Sequence, residues 1–129
     1  MCVFHVNGFK YAARRIKNAK PTIIYMHREI MHCPKNYEID HINHNTLDNT
    51  KCNLRIATKQ QNQANQLKNR GKQSKYKGVF KSKKKWRARI RYKNTRINCG
   101  SFDSEAQAAM AYNTKAQELY GEYACLNII

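Results

Sequence analysis

Two neighbouring residues, Asp40 and His41 in the run Glu38-Ile39-Asp40-His41-Ile42, carry the chemistry from which this chain is read. A carboxylate suits a hard divalent cation, and a neutral imidazole takes a proton from water near neutral pH. A metal-assisted phosphodiesterase needs little more. It needs oxygen ligands with positions open to phosphate, one histidine base, and a group that holds the imidazole in place. On an ideal strand, however, Asp40 and His41 point to opposite faces. They share a site only where the strand ends or twists, and taken alone the pair reads as part of a surface strand.

The elements around the pair supply the context. Polar and apolar residues alternate up to His41, which predicts a half-buried strand. Residues 41–49 are rich in Asn, Thr and Asp and predict a loop. Leu54-Arg55-Ile56 alternates again, as a second short strand. Thr58-Lys59-Gln60-Gln61 is a capping box, and no Gly or Pro interrupts the helix it opens as far as Asn69.

Asp40-His41-Ile42-Asn43, Leu47-Asp48-Asn49, Cys52-Asn53-Leu54-Arg55 and Thr58-Lys59-Gln60-Gln61-Asn62, in this order and spacing, resemble the HNH homing endonucleases of phages and introns. The resemblance implies a ββα-metal fold, a β-hairpin crossed by a helix, over residues 1–67. It implies His41 as the general base and Asn53, twelve residues on, as the central Asn that fixes the loop and the His. It makes Asp40 and Asn62 the ligands of one Mg²⁺ or Mn²⁺. Asn62 takes the place of the family's last His, and Gln66 stands where some relatives carry another. His44 replaces a loop Gly, which tolerates backbone angles that His resists; its imidazole reads as a solvated loop group or a second catalytic one. His27-Arg28-Glu29-Ile30-Met31 matches a segment upstream of the Asp-His strand in phage members, expected as a short helix. His27 reads either as a packing residue or as one that reaches the metal or a phosphate. Arg28 is a candidate phosphate clamp.

The totals narrow the partners. With 25 Lys and Arg against 8 Asp and Glu, the 129-residue chain carries a net charge of +17. No acid lies between Asp48 and Asp103. Such a field favours a polyanion and speaks for nucleic acid, without separating DNA from RNA. No run of about twenty apolar residues predicts a membrane span, and the N-terminus has no secretory pattern, so a cytoplasmic location is expected. Five cysteines, none in a Cys-x-x-Cys pair, read as reduced residues rather than a zinc ribbon. His32-Cys33 with Cys52 is a weak alternative metal site.

Upstream, residues 9–16 and 21–26 predict two strands joined by a turn at 18–21. Residues 68–75, polar and basic around Gly71, predict a linker. Beyond it, strands are expected at 76–81, 86–92 and 95–102. In the second, Trp86, Ala88, Ile90 and Tyr92 share one face and Arg87, Arg89 and Arg91 the other. Ser104-Glu105-Ala106-Gln107 is a second capping box, opening a helix to about Tyr120 that Gly121 ends. The expected fold class is α+β: an N-terminal ββα nuclease unit, then, over residues 76–129, a three-stranded antiparallel sheet packed on one helix.

Residues 74–127 resemble the plant ethylene-response-factor (apetala-two type) DNA-binding domain. The marks are Tyr76-Lys77-Gly78-Val79, Lys85-Trp86-x-Ala88-x-Ile90-Arg91, Gly100-Ser101-Phe102-Asp103-Ser104 with the alanine-rich helix after it, and Leu126-Asn127. The resemblance implies a sheet face lying in the major groove. By position it names Lys77, Arg89, Arg91 and Arg96 as DNA contacts, with Lys81 and Arg87 added. Phe80 stands where an Arg is usual, Asn98 where a Trp is usual and Asn113 where an Asp is usual, so the plant target sequence is not carried over. The reading is a metal-dependent endonuclease of homing or nicking type, acting on double-stranded DNA as a monomer. The alternatives are a binding protein that keeps the nuclease fold without strong activity, and an RNA-associated basic protein, which explains the charge but neither motif.

Overall fold

A computed structural model describes residues 1–67 and 73–129. The first part of the expected linker (68–75), residues 68–72, lies outside the described residues. The chain divides into two units, Met1–Asn62 and Gln63–Ile129.

The first unit opens with an antiparallel sheet in the order β1-β2-β3: β1 Cys2–Val6, β2 Phe9–Ile16 and β3 Thr22–Tyr25. The expectation over this stretch held two strands and missed β1. Its signal was present in Asn7-Gly8, both at positive φ (50° and 83°), which makes the tight hairpin turn that Asn-Gly favours. The short helix α1, Met26–Met31, follows directly, and His32 ends it in the left-handed region. β4, Glu38–His41, and β5, Leu54–Ala57, form a two-stranded hairpin with Asp40 opposite Arg55 and His41 opposite Leu54. A single helical turn at Lys51–Asn53 leads into β5. Helix α2, Lys59–Asn65, starts at the expected capping box: Thr58 Oγ1 accepts from Gln61 N–H at 3.2 Å, and Gln61 Oε1 accepts from Thr58 N–H at 2.8 Å.

The second unit carries a three-stranded antiparallel sheet, β6 Val79–Ser82, β7 Lys85–Tyr92 and β8 Thr95–Phe102, and helix α3, Glu105–Tyr120. Ser104 and Gln107 cap α3 reciprocally. Ala108, Ala109, Tyr112 and Ala116 pack with Tyr76, Val79, Ala88 and Ile90 in one core. Small alanines bring the helix close to the sheet, and Gly78 marks the closest approach. It has φ +74°, and a Cβ there would lie 2.2 Å from the Tyr112 ring. Asn127 closes the unit: its amide bonds both the N–H and the C=O of Lys77, while its own backbone N–H and C=O are held by Asn113. An Asn at 113 donates and accepts at once, which an ionised Asp does not. The five cysteines are free thiols.

Candidate functional site

β4 presents two faces to two different environments. Glu38 and Asp40 share one, and across the hairpin Arg55 joins Asp40 there, with Nε 2.8 Å and a terminal nitrogen 2.7 Å from Oδ2. Asp40 is buried, so the guanidinium offsets a charge that would otherwise be costly to desolvate. Asn62, from the first turn of α2, donates its amide N–H to Glu38 Oε2 at 2.6 Å. With its nitrogen held there, the amide's oxygen is its remaining donor atom. Asp40, Glu38 and Asn62 therefore present carboxylate and amide oxygens, a donor set that fits Mg²⁺ or Mn²⁺ and not a thiol-seeking ion. Among the described residues no group of three or more His, Cys, Asp or Glu side chains is assembled around one point.

His41 ends β4 on the other face and is buried. Its Nε2–H donates to Asn49 Oδ1 at 3.1 Å. Asn49 turns its Nδ2 to Leu47 O at 3.4 Å, so the amide oxygen is the atom that meets the imidazole. An amide oxygen only accepts, so the hydrogen of neutral His41 sits on Nε2 and the basic lone pair on Nδ1. Tyr11 and His27 flank the ring, with centroids 6.2 and 5.2 Å away.

The loop between the strands is cross-braced by its own amides. Asn53 Oδ1 accepts from Asn43 N–H at 2.9 Å, and its Nδ2 donates to Asp48 O at 2.8 Å. Asn43 Nδ2 donates to Asp48 Oδ2, and Asp48 Oδ1 accepts the Thr50 hydroxyl. These bonds from Thr50 hold the Asp48 carboxyl below its ordinary value. Asn53 thus ties the loop, while His41 Nε2 bonds to Asn49. The Leu-Asp-Asn motif contained that residue, but a loop-to-strand contact has no periodic signature in sequence. His44 takes φ +65°, a left-handed conformation that a Gly would adopt without strain. The loop keeps its turn at some conformational cost.

Several sequence candidates for DNA contact are placed elsewhere. Arg28 donates to the carbonyls of Tyr37 and Pro34, both at 3.1 Å, and so ties α1 to the approach of β4 rather than standing ready as a phosphate clamp. Lys77 places its Nζ on the carbonyls of Ala64 and Gln66 near the end of α2, and burial lowers its pKa. Lys81 lies opposite Trp86 in the β6–β7 register, on the helix side of the sheet, with its ammonium 5.5 Å above the indole. By contrast Arg87, Arg89, Arg91 and Arg96 are exposed on the opposite face, and Arg91 faces Arg96 across the ladder. Among the described residues no acid pairs with them. Phe80 shares this face, and the Arg89 guanidinium lies 4.9 Å over its ring, a cation–π contact that holds Arg89 up from the sheet. A bulge between Ala88 and Arg89 sets Arg89 opposite Asn98.

The structure thus puts the His41 imidazole at the end of the hairpin on one face of β4 and the Glu38 and Asp40 carboxylates on the other, with α2 beginning just after β5. The comparisons with known proteins bear on the same stretch of chain. Residues 31–64 match the HNH endonuclease family. The chain is 40% identical over 97 residues to an uncharacterized HNH endonuclease of Acanthamoeba polyphaga mimivirus, covering 74% of this chain and 50% of that one. It is 34% identical over 93 residues to Protein 3.8 of Escherichia phage T7, covering 70% and 76%. No solved structure matches it. The chain is thus similar to HNH endonucleases over residues 31–64 and, over most of its length, to these two viral proteins. It spans half the length of the mimivirus relative, and among its described residues no helix is long and apolar enough to cross a membrane.

Proposed function

We propose that the protein is a metal-dependent DNA endonuclease of nicking or homing type, with the chemistry in residues 1–67 and DNA held by the sheet of a C-terminal domain, residues 76–129, of ethylene-response-factor type. The observation that carries the reading is the hydrogen bond between His41 Nε2 and Asn49 Oδ1, which holds the imidazole at the end of β4. His41 removes a proton from a water that attacks phosphorus in line with the leaving 3′-oxygen. Asn49 holds the imidazole through Nε2, and Asn53 holds the loop that carries Asn49. Asp40 and Asn62 would hold one Mg²⁺ or Mn²⁺, with Glu38 beside them, and such a cation supplies neutralisation of charge building on the phosphate. Arg87, Arg89, Arg91 and Arg96 repel one another on one face, a strain that a phosphate backbone relieves. One catalytic centre cuts one strand per encounter, so a monomer gives a nick.

The test is supercoiled plasmid with Mg²⁺ or Mn²⁺, with EDTA and His41→Ala controls. Relaxed circles that require both metal and His41 are expected. Relaxation that persists in His41→Ala rules out the assigned base. A shifted but intact plasmid, repeated across a random-sequence library, favours the binding-only alternative.

A further inference from the structure

The hydrogen bond from Nε2 to Asn49 pins one corner of the His41 ring, and the plane of a ring is set by what packs against its faces and edges. The neighbouring rings come from outside the family-matched segment. His27 opens α1 and meets His41 edge to face, 5.2 Å between centroids at 78°. His27 is itself stacked on Tyr25 (5.6 Å, 24°) and tilted against Tyr11 (5.5 Å, 54°). Its Nδ1 is buried and makes no hydrogen bond. A buried ring nitrogen without a partner loses its hydrogen bonds to water and gains none, a cost that a slot used for packing alone would avoid with an apolar side chain.

We propose that His27 is a positioning residue for His41: wedged between Tyr25 and Tyr11, it fixes the plane of the His41 imidazole so that Nε2 stays on Asn49 and Nδ1 keeps one direction. The inference rests on the nuclease reading for its catalytic meaning, but the ring arrangement it describes is measurable without catalysis. His27 suits the place electrostatically as well. Burial first, then the neighbouring His41 and Arg28, push its pKa down to about 4. It is therefore neutral at pH 7 and sets no positive charge against a base that must accept a proton. The upstream sheet is on this account one wall of the site, because β2 supplies Tyr11 and β3 supplies Tyr25.

The experiment compares wild type, His27→Leu, which fills the slot without a plane, and His27→Phe, which restores a plane. The first readout is long-range ¹H–¹⁵N NMR of the His41 ring in the full chain. Wild type should show one tautomer with hydrogen on Nε2, and His27→Leu a mixture. The second is single-turnover cleavage, where His27→Leu should lose about ten- to a hundredfold in rate at unchanged DNA affinity and His27→Phe should recover most of it. Unchanged His41 signals in His27→Leu overturn the proposal whatever the rate, and so does a loss that lies in affinity alone. Should His27→Leu not fold, His27→Phe decides alone: a mixed tautomer in it overturns the proposal. If the wild type cuts no DNA, the nuclease reading falls while the NMR comparison still decides the role of His27.

Discussion

The two units handle polarity in opposite ways. In the first, the polar groups are buried or half-buried and mutually bonded: Asp40 to Arg55, Asn62 to Glu38, His41 to Asn49, Asn53 to both sides of its loop. In the second, the core between α3 and its sheet is apolar, and four arginines are left exposed on the other sheet face, with no acid beside them among the described residues. On the proposed reading the first arrangement prepares a few atoms for chemistry, with each orientation set before substrate arrives. On the same reading the second prepares a surface, where position matters less than the density of charge.

This contrast predicts where substitution hurts most. Arg55→Ala leaves the buried Asp40 carboxylate without its cation, which should cost about 3–5 kcal/mol. Amide hydrogen exchange in residues 1–62 should accelerate accordingly, and added Mg²⁺ should restore part of the protection if Asp40 also holds metal. Unchanged exchange would show that the pair is not a structural support. In the second unit the corresponding weak point is apolar. Gly78→Ala drives a methyl into the Tyr112 ring at a positive φ and should cost about 3 kcal/mol, read as a lower melting temperature with protection lost in residues 73–129. Equal protection there would mean that α3 yields easily.

Acid should separate the units too. His27 titrates near 4 in the fold against an ordinary 6.5, so its neutral form is the folded one. Its contribution is fully present above about pH 6.5 and is lost as the pH falls from there toward 4. Exchange in residues 1–62 should rise across that window, and His27→Leu should flatten the rise; an identical profile in the variant would remove His27 as the cause. The smallest effect is expected at His44→Gly, which relieves a left-handed His and should stabilise the first unit by about 1 kcal/mol or less.

Local rules in the sequence were the legible part. Both capping boxes form as written, and the alternation of β7 places its arginines and its apolar residues on opposite faces. What escaped depends on partners distant in sequence. Lys77 and Arg28 looked like surface cations because their acceptors are backbone carbonyls, which every residue carries and no composition reveals. Lys81 fell on the helix side because the hairpin register, not its charge, decides the face. Asn49 escaped because the bond that selects it is made by loop folding, whereas Asn53 stood out through the resemblance to a known family pattern.

The division of labour between the two units is tested most directly by measuring cleavage and binding on the same DNA for His41→Ala and for the double variant Arg89→Ala with Arg91→Ala. The account predicts that His41→Ala binds as wild type and loses about 10²–10⁴ in cleavage rate. It predicts that the arginine variant binds more weakly, with a salt slope lower by about 1 for each phosphate no longer neutralised, and cuts again when its concentration is raised. Joint loss of binding and cutting in His41→Ala, or wild-type affinity in the arginine variant, would contradict it.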